Sequence, residues 1–235
     1  MQYKVTGLTA CAQNRIRVRA YQNDGGKPYY NNWVEVKPVT KIGAVTGFAG
    51  PSYTNDTTVK LTWKAAPGAK TYRVYNNNVK LFDVATTYAN IKIDANKTYK
   101  ISVAPVNGST VGAKTSVITF TTPCAQVNNV AVTSITDTSV SLSWAAVAGA
   151  QNYRVEYSKD GKTWKSVTAE KAAVTVENLS KSTAYQFRVS AANKNGSKVQ
   201  YGKVSAVISK ATPAGVTSTV ESGAPKLQWE AVEGV

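Results

Sequence analysis

Residues 137–192 alternate between apolar and polar side chains, and this pattern most constrains how the chain can fold. Val140, Leu142 and Trp144 are separated by small polar residues, and the run Tyr153-Arg-Val-Glu-Tyr157 repeats the two-residue period. Successive side chains of a strand point to opposite faces, so such a period indicates strands with one buried face. We therefore predict short antiparallel strands here rather than helices.

Several landmarks in this stretch occur together in one known kind of module. Trp144 ends one predicted strand, the Tyr-x-Val-x-Tyr run forms the next, and Leu179 precedes Tyr185 by six residues. This combination resembles a fibronectin type III domain. The resemblance implies an all-β fold of tandem immunoglobulin-like antiparallel β-sandwiches in an extended array.

The same landmarks recur upstream in the same order, at Trp63, Tyr72, Ile93 and Tyr99. A period of this length is typical of an array of whole domains rather than a solenoid of small repeats. Pro105 follows in the strand that begins near Tyr99, and proline cannot donate to a β-ladder. We therefore predict that this strand breaks at Pro105 or lies at a sheet edge.

The repeats divide the chain into four predicted segments. Residues 41–123 and residues 124–212 each form a complete fibronectin type III-like module. Residues 1–40 match the C-terminal half of such a module, and residues 213–235 match the N-terminal start of a further one. Short connections that carry prolines join the segments and restrict the backbone there.

The first segment departs from the pattern at Asn14, which stands where Tyr185 stands in the later module. The resemblance implies that a tyrosine at this position makes a buried hydroxyl hydrogen bond. We predict that this bond is absent in residues 1–40, at a cost of about 1 kcal/mol.

The composition contains few of the residues on which enzymatic catalysis usually depends. The chain has no histidine and only two cysteines, so the commonest general base is missing and the cysteines cannot build a structural zinc site. Glu156, Asp160 and Glu170 fall on predicted strands or turns, where solvated surface charge is the expected state. We predict that the chain is not an enzyme and has no catalytic residues, cofactor or metal site.

The net charge of +15 comes from 28 basic and 13 acidic side chains. Such a field attracts anionic polymers without conferring specificity. A row of outward cations on strands can grip phosphate or sulfate, and the candidate polyanion contacts are Arg15, Arg17, Arg19, Arg73, Arg154 and Arg188. The alternative is that these are solvated strand faces, chosen for solubility and against edge aggregation.

Other binding signals are weaker or missing. Tyr29, Tyr30, Trp33 and Trp164 are aromatic residues that can stack on sugars, although packing at edge strands explains them equally well. The integrin-binding Arg-Gly-Asp loop of some family members is absent. No apolar run approaches the ~20 residues of a membrane helix, and we predict no membrane span and no sequence-specific binding of nucleic acid.

The sequence favours a non-catalytic structural or interaction array that acts as a stalk, spacer or fibre, extracellular or at the cell surface. Its expected partners are other modules of the same longer chain or fibre, together with anionic cell-surface polymers. Two alternatives remain open. The modules could be accessory spacers of a larger secreted carbohydrate-active enzyme, or they could belong to a virion or phage-tail decoration protein.

Overall fold

The computed structural model describes residues 2–221 and 224–229, and the regular structure in these ranges consists of β-strands. Of the segment predicted to begin a further module, residues 222–223 and 230–235 lie outside the described ranges. Contacts divide the chain into two compact units. The first comprises residues 1–92 and 99–120, and the second comprises residues 93–98 and 121–235.

The N-terminal part of the first unit contains two small two-stranded sheets. One pairs β1 (Ile16–Val18) with β4 (Val34–Val36), and the other pairs β2 (Tyr21–Asp24) with β3 (Lys27–Tyr30). Both pairs are antiparallel. The sequence Asn23-Asp-Gly-Gly26 supplies the tight turn of the hairpin, since its glycines adopt positive φ angles that other residues resist.

The next strands form one three-stranded and one five-stranded sheet. Their bounds are β5 (Thr46–Asn55), β6 (Thr58–Lys64), β7 (Thr71–Asn76), β8 (Val79–Val84), β9 (Tyr88–Lys92), β10 (Thr98–Asn107), β11 (Thr110–Val111) and β12 (Ile118–Thr121). The smaller sheet has the order β5-β6-β9. The larger has the order β11-β10-β7-β8, and β12 also pairs with β10.

The alternating positions of these strands fill a core, as the period-two pattern predicted. The most buried side chains include Val59, Leu61, Trp63, Tyr72, Val74, Ile101 and Val103. Trp63 packs edge-on against Tyr72, with ring centroids 5.5 Å apart. Tyr72 also anchors the loop after β6, because its hydroxyl accepts a hydrogen bond from the Ala66 N–H at 2.9 Å.

The prediction that the strand breaks at Pro105 is wrong, since β10 continues through Asn107. Pro105 pairs with Tyr72 of β7, and its carbonyl accepts a hydrogen bond from Gly112 on the opposite side. In an antiparallel pair, the N–H and C=O of one residue point to the same neighbour. The missing N–H of Pro105 therefore faces the stretch between β11 and β12, and no bond to β7 is lost.

The second unit contains the remaining strands, from β13 onward. Their bounds are β13 (Ala131–Ile135), β14 (Val140–Ser143), β15 (Asn152–Ser158), β16 (Lys165–Ala169), β17 (Ala173–Val176), β18 (Ala184–Asn195), β19 (Lys198–Tyr201), β20 (Ile208–Ala211), β21 (Val216–Glu221) and β22 (Ala224–Trp229). One sheet has the order β13-β14-β17, and the other has the order β16-β15-β18-β19 with β20 also beside β18. β21 and β22 form a separate antiparallel pair.

The core of the second unit repeats the arrangement of the first. Trp144 packs edge-on against Tyr153 at a centroid distance of 5.2 Å. The hydroxyl of Tyr153 accepts a hydrogen bond from the Val147 N–H at 3.0 Å. The inward residues predicted for the strand after Tyr185 are confirmed, because Phe187, Val189 and Ala191 are completely buried. The chain is thus built of immunoglobulin-like β-sandwiches.

Asn14 replaces the corner tyrosine more effectively than the sequence suggested. In the second unit, the hydroxyl of Tyr185 accepts a hydrogen bond from the Ser180 N–H at 3.0 Å. In the first unit, Asn14 Oδ1 accepts from the Thr9 N–H at 3.2 Å, and its Nδ2 donates to the carbonyl of Thr9 at 3.2 Å. The hydroxyl is absent, but the expected loss of a bond at this corner is wrong because an amide makes the equivalent contact.

The strand pair β1–β4 leaves its apolar face exposed. Val18 is 63% exposed, whereas Val189, at the equivalent position of β18, is completely buried. Val34 and Val36 of β4 are also exposed. The difference arises because the sheet of β13, β14 and β17 covers the face of β18 in the second unit, and no described strand covers β1 and β4 in the same way.

Candidate functional site

The outer face of β1 and β4 carries a cluster of charges around one carboxylate. Glu35 lies directly opposite Arg17 in the β1–β4 register. Its Oε2 accepts hydrogen bonds from the Nε atoms of Arg15 at 2.6 Å and Arg17 at 2.7 Å, and Lys37 Nζ lies 3.3 Å from Oε1. A single glutamate therefore orients three cations and leaves this face with a net positive charge.

Arg19 continues the same face but is held by aromatic rings. Its guanidinium carbon lies 3.6 Å from the ring centroid of Tyr30 and 4.3 Å from that of Trp33. Tyr30 in turn pairs with Tyr21 across the hairpin, with centroids 6.1 Å apart. Cations over aromatic faces are attracted by the ring quadrupole, so these contacts stabilise the side-chain position of Arg19.

Arg73 forms a separate ion pair on the sheet of the first unit. Its Nε and Nη2 donate to the two carboxylate oxygens of Asp83 at 2.8 Å and 3.0 Å, and Lys80 Nζ donates to the same group at 3.0 Å. The hydrogen bonds from Arg73 are the largest cause that lowers the pKa of Asp83 to about 2. Arg73 is therefore already paired, in a bidentate arrangement, with Asp83 of its own sheet.

In the second unit, Glu156 lies directly opposite Arg188 of β18 and two residues after Arg154 of its own strand. Arg188 Nε donates to Glu156 Oε2 at 3.0 Å, and Arg154 Nη2 lies 3.8 Å from the same oxygen. Each guanidinium also lies over a ring, that of Arg188 at 3.9 Å from Trp164 and that of Arg154 at 4.0 Å from Tyr201. Both guanidinium groups are therefore partly neutralised by Glu156, and each lies against an aromatic ring.

The structure brings some of the six candidate arginines together and separates others. Arg15, Arg17 and Arg19 share one face, Arg154 and Arg188 share another, and Arg73 stands with its own carboxylate. Sequence reasoning missed the acceptors Glu35, Asp83 and Glu156. All three lie directly opposite an arginine in the observed register, Glu35 to Arg17, Asp83 to Arg73 and Glu156 to Arg188. That register is not evident from the alternation of apolar and polar residues alone. That these arginines contact polyanions remains a prediction.

Two of the three carboxylates considered for catalysis occupy structural roles, and the third, Glu170, is exposed. Glu156 is engaged by arginines as described above. Asp160 closes a turn, where its Oδ1 accepts hydrogen bonds from the backbone N–H groups of Thr163 and Lys162, each at 2.8 Å. These backbone hydrogen bonds, with one from Ser158, hold the pKa of Asp160 well below its usual range. A carboxylate whose pKa is lowered in this way is poorly suited to accept a proton from a substrate.

A shallow cavity of about 230 Å³ lies beside this turn, lined by Tyr157, Ser158, Lys159, Asp160, Thr163 and Lys165. Its volume falls below the ~300 Å³ at which small-molecule pockets usually begin. Lys159 Nζ is already hydrogen-bonded to Ser180 Oγ at 2.9 Å. The described part of the chain also contains no group of three potential metal ligands.

Residues 1–40, 41–123 and 124–212 each form one set of strands, and near the end of each set a threonine hydroxyl donates a hydrogen bond to a backbone carbonyl of a loop in the same set. We call these three contacts the threonine seams. Thr122 Oγ1 donates to the carbonyl of Asp94 at 2.6 Å, and Thr212 Oγ1 donates to the carbonyl of Ser180 at 2.7 Å. Thr40 Oγ1 makes the corresponding bond to the carbonyl of Thr9. Thr122 and Thr212 are almost completely buried. Sequence reasoning missed the seams, although Thr-Pro after the last strand is a signal for two of them.

Within the second unit, the seam at Thr122 is joined to a buried asparagine. Asn193 Nδ2 donates to Asn96 Oδ1 at 2.6 Å and to the Thr122 carbonyl at 2.8 Å. Gln200 Nε2 donates to the carbonyl of Thr121 at 2.9 Å. The connection before β13 is therefore hydrogen-bonded to β18 and β19 rather than left free.

Repeated antiparallel sandwiches, tyrosine-anchored loops and polar seams define the chain as a modular protein of the immunoglobulin-like β-sandwich class. Residues 125–208 match the family described as the fibronectin type III domain. Over these residues the chain is similar to a fibronectin type III domain. Fibronectin type III domains are typically non-enzymatic.

Two solved structures are similar to this chain. A two-domain fibronectin type III segment of chicken tenascin is 22% identical, with 72% of this chain and 97% of that chain covered and a TM-score of 0.43. The FN1–FN3 domains of chicken CNTN1 are 17% identical, with 84% of this chain and 76% of that chain covered and a TM-score of 0.37.

No helix with the length and hydrophobicity needed to cross a bilayer occurs in the described ranges.

Proposed function

We propose that this chain is a non-catalytic array of fibronectin type III modules that acts as a stalk, spacer or fibre at the cell surface or outside the cell. The observation that carries the proposal is the repetition of the threonine seam at Thr40, Thr122 and Thr212. An array that holds other components apart needs modules that each stay folded, and the threonine hydrogen bonds stabilise the end of each set of strands. The hydrogen-bonded connection at Thr122 supports the same role, because a free linker would transmit little force.

The proposed partners are other modules of the same longer chain or fibre and anionic polymers of the cell surface. The charge distribution supports the second kind of partner. Residues 1–40 carry six basic and two acidic side chains, and residues 41–123 carry ten and three. Cations that are aligned on strand faces raise the local concentration of polyanions.

Surface labelling tests this proposal directly. Intact source cells are treated with a membrane-impermeant biotin reagent and with antibodies against residues 124–212. We expect both reagents to label the protein without permeabilisation, and we expect the purified chain to show no turnover of polysaccharides or esters. Labelling only after permeabilisation would contradict the proposal, and labelling of released particles alone would favour the virion alternative.

A further inference from the structure

Arg19 differs from every other arginine of the chain in how it is held. Arg15, Arg17, Arg73, Arg154 and Arg188 each form an ion pair with a carboxylate. For Arg19, the described residues supply no ion pair, and its contacts are the rings of Tyr30 and Trp33. Its guanidinium is positioned by aromatic faces and retains its capacity for an anion.

The geometry of these contacts leaves the hydrogen-bond donors of Arg19 available. A ring that lies over a guanidinium covers the flat face of the group, whereas the five N–H donors point outward in its plane. That planar fork matches a carboxylate in a bidentate arrangement. Because the rings reduce the freedom of the side chain, less conformational entropy is lost when an anion binds.

The rings themselves are accessible beside the guanidinium. Tyr21 is 69% exposed, and Tyr30 and Trp33 are each 52% exposed. We call Arg19, Tyr21, Tyr30 and Trp33 the arginine–aromatic patch. Large aromatic surface in water is unfavourable, and an apolar molecular face that stacks on these rings would remove part of it.

The charges next to the patch select for an anionic ligand. Arg17 lies opposite Glu35 in the β1–β4 register, and Arg19, two residues after Arg17, contacts Trp33, two residues before Glu35, so the charged cluster and the patch are adjacent. Arg15, Arg17 and Lys37 outnumber the single carboxylate of Glu35. The face therefore attracts a polymer with several negative charges.

We propose that the arginine–aromatic patch binds an acidic polysaccharide that contains uronic acid residues. A uronic acid presents its carboxylate and the C–H face of its pyranose ring within one residue. One sugar can thus place its carboxylate in the plane of Arg19 while its ring stacks on Trp33 or Tyr30. The excess of positive charge of Arg15, Arg17 and Lys37 over Glu35 attracts the next carboxylates of the polymer. The inference rests on the proposed binding of anionic polymers and assigns that binding to one site and one ligand class.

Calorimetric titration of the whole chain with polygalacturonate tests the proposal. The first variant is Arg19→Lys, which keeps the charge but removes the planar fork, and the second is Trp33→Ala. We expect each to weaken binding by about tenfold, the effect of losing one charge-assisted bidentate contact or one stacking surface. Trp33→Phe, which retains a ring, should keep most of the affinity and shows that the loss in Trp33→Ala is not a folding defect.

Arg188→Lys is the matched control, because Arg188 also lies over a tryptophan but is already paired with Glu156. We expect this variant to bind polygalacturonate as the unmodified chain does. Methyl-esterified polygalacturonate, which retains the sugar faces without the carboxylates, should bind at least about tenfold more weakly.

The possible failures are distinguishable. Equal losses in Arg19→Lys and Arg188→Lys, or no loss in Trp33→Ala, would overturn the site while leaving general polyanion binding intact. Binding of single-stranded poly(dT) as tight as that of polygalacturonate would overturn the ligand class, since stacking platforms in a basic setting also suit nucleic acids. No binding of any polyanion would overturn this inference together with the proposed polymer partner.

Discussion

At the scale of single residues, buried polar side chains determine how each loop is closed. Thr212 Oγ1 donates to the Ser180 carbonyl and also accepts a hydrogen bond from the Thr183 N–H at 3.1 Å. One hydroxyl therefore satisfies both a donor and an acceptor of the loop before β18. Asn14 makes a comparable double contact with Thr9. Because an unsatisfied buried polar group is expensive and Thr212 is completely buried, we expect substitutions at Thr212 to be destabilising.

Replacement of Thr212 by valine should destabilise the second unit by about 1–3 kcal/mol, the range for leaving buried hydrogen-bonding groups without a partner. Valine has nearly the same shape, so packing changes little and the loss reports the hydrogen bonds. Denaturant-induced unfolding of the whole chain measures the change. Thr168→Val, on the exposed face of β16, serves as the control. Equal stabilities of the two variants would show that the seam at Thr212 contributes nothing.

The pair of Arg73 and Asp83 predicts a pH dependence. The pKa of the Asp83 carboxyl is lowered from an ordinary value of about 3.9 to about 2. A lowered pKa in the folded state means that the stabilisation is present above pH 4 and is lost as the pH falls toward 2. Asp83→Asn should therefore flatten the decline of stability between about pH 4 and pH 2.

Urea unfolding at intervals across this range checks the prediction. Asp24→Asn, on the exposed hairpin of β2 and β3, is the control and should retain the slope of the unmodified chain. An unchanged slope in Asp83→Asn would contradict the expected linkage.

At the scale of strands, equivalent positions have different environments in the two units. Period-two alternation correctly predicted which residues of β18 face the core, because a buried sheet face demands apolar side chains at every second position. The pattern could not predict that β10 passes through Pro105, since that depends on which edge its N–H would face. The pattern also could not reveal that Glu35 and Glu156 form ion pairs with the nearby arginines. Those contacts depend on strand register, which one sequence determines only weakly.

A matched pair of substitutions measures this difference in environment. Val189→Ala should cost about 1.5–3 kcal/mol, because it removes buried methyl groups and leaves a cavity. Val18→Ala occupies the equivalent position of β1 and should change stability by less than about 0.5 kcal/mol, as is usual for exposed positions. Thermal unfolding of both variants checks the prediction. A comparable loss in Val18→Ala would mean that the apolar face of β1 is covered in solution.

At the scale of the whole molecule, electrostatics acts through the excess of basic side chains. The net charge of +15 is concentrated in residues 1–212, since residues 213–235 carry one basic and three acidic side chains. Interactions between exposed charges are screened over about 10 Å at 0.1 M salt and about 3 Å at 1 M. Any attraction of this chain to a polyanion should therefore weaken strongly as salt is added.

Chromatography on immobilised heparin checks where that attraction originates. The triple variant Arg15→Glu, Arg17→Glu and Arg19→Glu should elute at a clearly lower salt concentration than the unmodified chain. The control changes the net charge equally by replacing Lys162, Lys165 and Lys171 with glutamate. We expect a smaller shift in this control, because these lysines are not clustered on the face of β1 and β4. Identical shifts would assign retention to net charge alone.

The threonine seams also bear on how such a chain can change its length. Each seam joins the end of a last strand to a loop of the same strand set, as Thr212 joins Ser180 and Thr122 joins Asp94. The stabilising contact is therefore inherited together with the strands that it closes. A gene segment that encodes one such set carries both partners of its seam, so a duplication would copy the threonine and the carbonyl that it binds together.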